Sequence, residues 1–260
     1  MDLGLKGRRC VVTGASSGIG RETCVLLAQE GARVLMAARG EKSLHEAAVT
    51  GSAVLALDVT SPDAPARISR ACERELGGPP DVLVNNAGTS FARAVEELSD
   101  EDWQGQWDLH VMASMRLMRE LAPGMAERGW GRIVNVCSSA GKRPSTTNMA
   151  YAVTKAAQLS LSRAFADLYA PRGVLVNAVA PGAVASPLWV AEGGLADQVA
   201  AARGISRDEA LEGQRSRIPL GRFAQPQEIA AVVVFLCSER AGDVAGAAWS
   251  VDGGAVPVII

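Results

Sequence analysis

Short runs of consecutive apolar residues recur along this chain: "RRCVVTG", "ARVLMAA", "AVLALDV", "DVLVNNAG", "GRIVNVCSS" and "GVLVNAVAPG", with "GAAWSVDGG" near the end. Runs that are apolar throughout, rather than at every second position, predict strands buried on both faces. Amphipathic stretches separate them and predict helices over about 18–30, 62–76, 99–126, 149–170 and 226–236. Strands that each lead into a helix call for a parallel sheet covered on both sides. The expectation is an α/β fold: one doubly wound parallel sheet of seven strands, a single domain over 1–260. No repeat or low-complexity linker divides it.

One region breaks the rhythm. Residues 183–225 hold "GG", "RG" and "IPLG" around a short helical pattern. The segment begins beyond the carboxyl end of the sixth strand, where α/β sheets bind ligands. A substrate lid at about 185–217 is expected, with a plain surface loop as the rival. Its Leu188, Trp189, Val190 and Leu195 supply an apolar wall, turned toward a substrate or toward its own domain.

Composition narrows the classes. The net charge of −2 over 260 residues gives no basic field for nucleic acid or anionic lipid. The longest apolar run, "IAAVVVFLC", is far short of a membrane span, and "MDLGLKGRR" lacks the apolar core of a signal peptide. Cys10, Cys24, Cys72, Cys137 and Cys237 show no CxxC spacing and read as reduced, mostly buried thiols. A cytoplasmic protein without nucleic-acid or membrane partners is expected. His45 has no companion at ligand spacing, so no metal site is expected.

The first strand leads into "TGASSGIG", with glycines at 14, 18 and 20, and then a helix. Glycine lets the backbone turn sharply and lets a pyrophosphate reach free N–H groups at the helix start. Strand, glycine turn and helix in that order make a Rossmann-like dinucleotide site. At the end of the second strand an acid would hold the ribose hydroxyls of NAD. Ala38 and Arg39 stand there instead, and a guanidinium suits a 2′-phosphate. NADP is therefore favoured, with NAD the alternative. Asp58 in "LDVT" is a candidate for the adenine amino group, or simply a turn aspartate.

The chemistry concentrates in "MAYAVTKAAQ". Tyr151 and Lys155, four apart, share one helical face. A neighbouring ammonium favours phenolate, and a phenol so tuned can exchange a proton with a carbonyl or alcohol oxygen. Ser138, at the end of the fifth strand, is placed to hold that oxygen, or to cap its own backbone.

Taken in order, "TGASSGIG", "NNAG", the serine before "AYAVTK", and "APG" resemble the classical short-chain dehydrogenase/reductase family, its 3-oxoacyl-carrier-protein reductase-like branch in particular. The likeness runs from "LKGRRCVVTG" to "WSVDGG" and includes "IPLGRFAQPQEIA". The Tyr-x-x-x-Lys spacing separates the chain from the enoyl-reductase branch, where the spacing is longer.

The resemblance implies Tyr151 as general acid/base, Lys155 lowering its pKa and binding the nicotinamide ribose, and Ser138 orienting the substrate oxygen. Cofactor contacts implied are Gly14, Ser16, Ser17, Gly18, Ile19, Arg39, Asp58, Val59, Asn86, Ala87, Gly88, Pro181, Gly182, Val184 and Ser186. Asn86, Ala87 and Gly88 would line the adenosine side, and Val184 and Ser186 would meet the carboxamide, with Ser186 in place of the usual threonine. Hydride would pass between the nicotinamide and a carbonyl carbon or secondary alcohol. A homotetramer (or homodimer) is implied, built from the helices at 99–126 and 149–170 and the last strand, with the tail "AVPVII" as a further contact.

One position departs from the family. His110 stands where an asparagine usually holds a water of the proton relay. Histidine is able to take over that role, or to be a packed helix residue. An NAD-dependent secondary-alcohol dehydrogenase and a non-catalytic dinucleotide-binding regulator are the competing readings.

Overall fold

A computed structural model of the chain describes residues 1–257, so residues 258–260 of the apolar tail lie outside the described residues. Seven strands form one sheet: β1 (Arg9–Thr13), β2 (Arg33–Ala38), β3 (Ala53–Ala56), β4 (Val82–Asn85), β5 (Gly131–Val136), β6 (Val174–Pro181) and β7 (Ala248–Val251). Their order is β3-β2-β1-β4-β5-β6-β7, and every pairing is parallel. The chain winds one way from β1 to β3, then crosses over to β4 and winds the other way. That reversal opens a crevice at the carboxyl ends of β1 and β4, where the glycine turn and "NNAG" begin.

Both faces are covered over β1, β2, β4, β5 and β6, whose residues are nearly all buried. Cys10 and Val12 of β1 face a layer containing Cys24 and Leu27 of α1 (Gly18–Gln29). Leu44 of α2 (Glu41–Glu46) joins the same layer. Val11 points the other way, toward Ile68 of α3 (Ala64–Ala71). The predicted third strand was to reach Val59 but ends at Ala56. Asp58 Oδ1 there accepts from Thr60 N–H at 2.9 Å and Thr60 Oγ1 at 2.8 Å, which bends the chain into a turn.

The helix expected over 99–126 is not one regular helix. α4 (Asp100–Trp107) starts at a Ser99–Asp102 capping box, and α5 (Ala113–Glu127) follows after a π-helical turn over Asp108–Met112. A π turn inserts an extra residue into the helical ladder and re-aims the side chains it carries. His110 sits in that turn. α6 (Met149–Tyr169) runs alongside, as the pattern predicts.

The irregular region is three short helices rather than a loop: α7 (Pro187–Val190), α8 (Leu195–Arg203) and α9 (Arg207–Arg215). Arg207 pairs with Asp197 at 3.0 Å, fastening α9 to α8, and Gln198 Oε1 accepts from Ala92 N–H at 2.9 Å, tying α8 across to the segment after β4. Trp189 meets the Phe223 ring edge-on at 5.4 Å, in a small cluster with Ala183 and Ile218. The chain then enters α10 (Pro226–Cys237), which packs beside α1 under the sheet.

Candidate active site

A cleft of about 780 Å³ opens over the carboxyl ends of β1, β4, β5 and β6, and α7 to α9 form its outer wall. Its floor is the glycine turn. Gly14 has φ of +64°, and a Cβ there would lie 2.9 Å from Ala87 Cα, so only glycine lets the two segments close up. Gly18 has φ of +52°, and a Cβ there would lie 3.2 Å from Ser186 Cβ. Ser17 precedes α1 without a side-chain cap, and the first turn of α1 carries no acid. Its unsatisfied N–H groups and helix dipole therefore favour an anion.

The "NNAG" segment is pinned to that turn. Asn86 Nδ2 donates to Thr13 O at 2.9 Å and Gly14 O at 3.1 Å, while Thr13 Oγ1 accepts from Asn86 N–H and Ala87 N–H, both at 3.0 Å. Behind it, Asn85 Nδ2 donates to Asn135 Oδ1 at 2.8 Å, and Asn135 Nδ2 donates to Ser162 Oγ at 3.1 Å. After β6, Ala185 N–H donates to Ala224 O at 2.8 Å, which holds Val184 and Ser186 beside the glycine turn.

Ser138, Tyr151 and Lys155 share the inner wall. Ser138 Oγ accepts from Ala140 N–H at 3.1 Å, the local cap foreseen as the bland reading. That bond uses a lone pair and leaves the hydroxyl proton available to the cleft. Tyr151 is half-buried, with the His110 ring edge-on at 5.3 Å. Burial pushes its phenol up to about 12, although the Ser138 hydroxyl pulls the other way.

Lys155 is 2% exposed, and burial brings its ammonium down to about 8. Its Nζ donates to Val136 O at 2.9 Å and Gln158 Oε1 at 2.8 Å, and Gln158 Nε2 passes the chain on to Ser114 Oγ at 2.9 Å. The expectation that Lys155 depresses Tyr151 is thus not met by the protein alone. Burial is the largest influence on the phenol, while the Lys155 hydrogens point to Val136 and Gln158, with Nζ 5.7 Å from the centre of the phenol ring.

His110 is fully engaged. Thr89 N–H donates to Nε2 at 3.3 Å, which leaves the ring proton on Nδ1 to donate to Thr154 Oγ1 at 2.9 Å. Thr154 in turn donates to Tyr151 O at 2.9 Å. Burial and the Lys155 charge hold the imidazole well below its usual pKa, so it is neutral. A Cβ on Gly88 would lie 3.2 Å from His110 Nε2 and 3.7 Å from Lys155 Nζ, so both groups approach the backbone of "NNAG".

Of the other expected residues, Ser17, Ile19, Pro181, Gly182, Val184 and Ser186 line the cleft, and Ser16, Arg39, Asp58, Val59 and Ala87 do not. Val59 is buried in the layer with Val11 and Leu35, and Ala87 acts through its backbone. Arg39 is exposed just past β2, and its charge helps hold the Asp58 carboxyl below the ordinary range, after the hydrogen bond from Thr60. Of the residues expected to form an apolar wall, Leu188, Trp189 and Leu195 line the cleft, but Val190 does not. Sequence reasoning missed Gln158, Thr154 and Ser114. Gln158 carried a signal, since it lies three positions after Lys155 on the same helical face.

The described residues contain no group of three or more His, Cys, Asp or Glu able to hold a metal ion, and no helix long and apolar enough to cross a membrane. Residues 14–256 match the family described as enoyl-(acyl carrier protein) reductase. The chain is 33% identical to a 3-oxoacyl-[acyl-carrier-protein] reductase of Thermotoga maritima, over 97% of this chain and 99% of the relative. It is 37% identical to a galactitol 2-dehydrogenase (L-tagatose-forming) of Cereibacter sphaeroides, over 96% and 95%. Its fold matches L-sorbose reductase from Gluconobacter frateurii, solved with NADPH and L-sorbose, with a TM-score of 0.91, 36% identity and full coverage of both chains.

Proposed function

Because the chain belongs to the short-chain dehydrogenase/reductase family, we propose that this oxidoreductase is an NADP(H)-dependent carbonyl reductase with Tyr151 as its proton donor. The single observation that carries the reading is the convergence of Ser138, Tyr151 and Lys155 on one cleft whose floor is the glycine turn. NADPH, when bound, supplies the hydride. Gly14, Ser17, Gly18 and Ile19 would hold its pyrophosphate at the uncapped start of α1, Lys155 its nicotinamide ribose, and Val184 and Ser186 its carboxamide. The solved relative containing NADPH supports this choice of cofactor.

Ser138 donates its hydroxyl proton to the substrate carbonyl oxygen and fixes it beside Tyr151. As negative charge develops on that oxygen, Tyr151 gives it the phenol proton. A phenol near 12 is fully protonated at neutral pH, which suits reduction; oxidation of an alcohol needs phenolate and rises with pH. Lys155 stays charged below about 8 and stabilises the phenolate left behind. His110 has no free nitrogen for a relay and serves to hold α6 against the "NNAG" backbone. α7 to α9 act as the lid over the substrate half of the cleft, within one domain spanning 1–260.

Exposed Trp107, Val153, Leu168 and Trp249 lie on α4, α6 and β7, which supports the homotetramer contact proposed for those elements.

Two experiments probe the binding groups. Arg39→Ala is expected to weaken NADPH binding by about tenfold, roughly 1.4 kcal/mol, with little change for NADH; equal losses for both would favour the NAD reading. Gln158→Leu removes an acceptor from the Lys155 ammonium, so the lysine loses its proton at lower pH. Tyr151, Cys137 and His110 also face this lysine, but all three are neutral near pH 8. The alkaline limb of the kcat/KM profile, near 8 in the parent, should therefore move to lower pH in the variant, while Gln158→Glu moves it higher.

A further inference from the structure

The cleft wall is unusual in its charge. Its described lining holds four cations, Lys155, Arg143, Arg203 and Arg217, and no aspartate or glutamate. The chain as a whole has 28 acids against 26 bases. Lys155 is committed to Val136 and Gln158. The three arginines come from separate places: the turn after β5, the last turn of α8, and the segment after α9. None belongs to the glycine turn or to the segment after β2, where pyrophosphate and adenosine ribose are served.

Their neighbours in the same region are paired. Arg207 has Asp197, Arg215 has Glu212, and Arg222 has Glu228. Arg143, Arg203 and Arg217 are exposed and, among the described residues, have no such partner. Three guanidinium groups without an acidic partner, in a cleft whose described lining contains no acid, focus positive potential on whatever enters. Asn148 adds a second demand: Nδ2 donates to Ser90 Oγ at 3.2 Å, while Oδ1 is buried without a partner in the same wall. Whichever way that amide is turned, one end asks for a polar group, which a hydroxyl satisfies as donor or acceptor.

We propose that the substrate is a small hydroxylated carbonyl compound with an anionic end, a carboxylate or a phosphate, gripped by Arg143, Arg203 and Arg217 while its carbonyl meets Ser138 and Tyr151. The proposal rests on the carbonyl-reductase reading for the reaction, and on the charge pattern alone for the anion.

Matched probes test it: 5-keto-D-gluconate against L-sorbose for a carboxylate, and dihydroxyacetone phosphate against dihydroxyacetone for a phosphate. Affinities are measured by calorimetry on the NADPH-loaded protein, with NADPH oxidation followed in parallel. In at least one pair the anion should bind about tenfold or more tightly, with a preference that shrinks as salt rises. Arg143→Gln, Arg203→Gln and Arg217→Gln should each cut that anion-to-neutral ratio by about threefold to tenfold. Which pair responds tells carboxylate from phosphate. Equal binding within both pairs, no binding of either anion, or arginine variants that leave the ratio unchanged would overturn the proposal. Preferential anion binding without any NADPH oxidation would uphold it and count against the reductase reading instead.

Discussion

Tyr151→Phe is expected to lower kcat for carbonyl reduction by about a thousandfold or more, with NADPH affinity within about threefold of the parent. Placed proton donors contribute on the order of 10² to 10⁴ in rate, and this cleft offers no substitute. Ser138 donates but stays neutral, Lys155 is turned toward Val136 and Gln158, and His110 has both nitrogens engaged. The phenylalanine ring fits the same space against His110, so the fold should survive. Steady-state kinetics and fluorescence titration with NADPH separate the two effects. Turnover near the parental rate in this variant would remove Tyr151 from the mechanism.

The second large effect is expected at Lys155. Its ammonium is buried with acceptors for only two of its three hydrogens among the described residues, an arrangement that costs stability. Burial depresses its pKa to about 8, below the ordinary lysine value, so the unfolded chain binds the proton more tightly. Between about 8 and the unfolded value, stability rises with pH as this penalty is relieved. Lys155→Met removes the charge and keeps most of the volume. The melting temperature should hold or rise, while kcat/KM falls by at least about a hundredfold and NADPH binding weakens. A lysine kept for structure would give the reverse: lower thermal stability with activity retained.

The sheet was legible because burial on both faces leaves unbroken apolar runs, which no amphipathic surface element mimics. Tyr151, Lys155 and Ser138 were legible for a different reason: spacing on one helix and position at a strand end fix where side chains go before packing is known. The π turn at Asp108–Met112 was not legible, since an extra residue in a helical ladder leaves the amphipathic pattern nearly intact. His110's tautomer needed Thr89 and Thr154, which come from two other segments. Spacing predicted that Lys155 would lower the Tyr151 pKa, but it carried no sign of how strongly burial raises that phenol in the protein alone. Proximity along a helix says nothing about desolvation, nor about acceptors such as Val136 O that draw the ammonium elsewhere. The three cleft arginines were hidden in an arginine-rich chain until the structure showed which of their neighbours are paired.

The central claim is hydride transfer from NADPH to a carbonyl carbon in this cleft, and isotope transfer tests it most directly. The protein is incubated with NADPH deuterated at nicotinamide C4 and a panel of β-ketoacyl, sugar, steroid and aromatic carbonyls, and products are read by mass spectrometry. The expected result is an alcohol carrying one deuterium on the former carbonyl carbon, formed by the parent and not by Tyr151→Phe. NADPH binding without deuterium transfer to any member of the panel would contradict it.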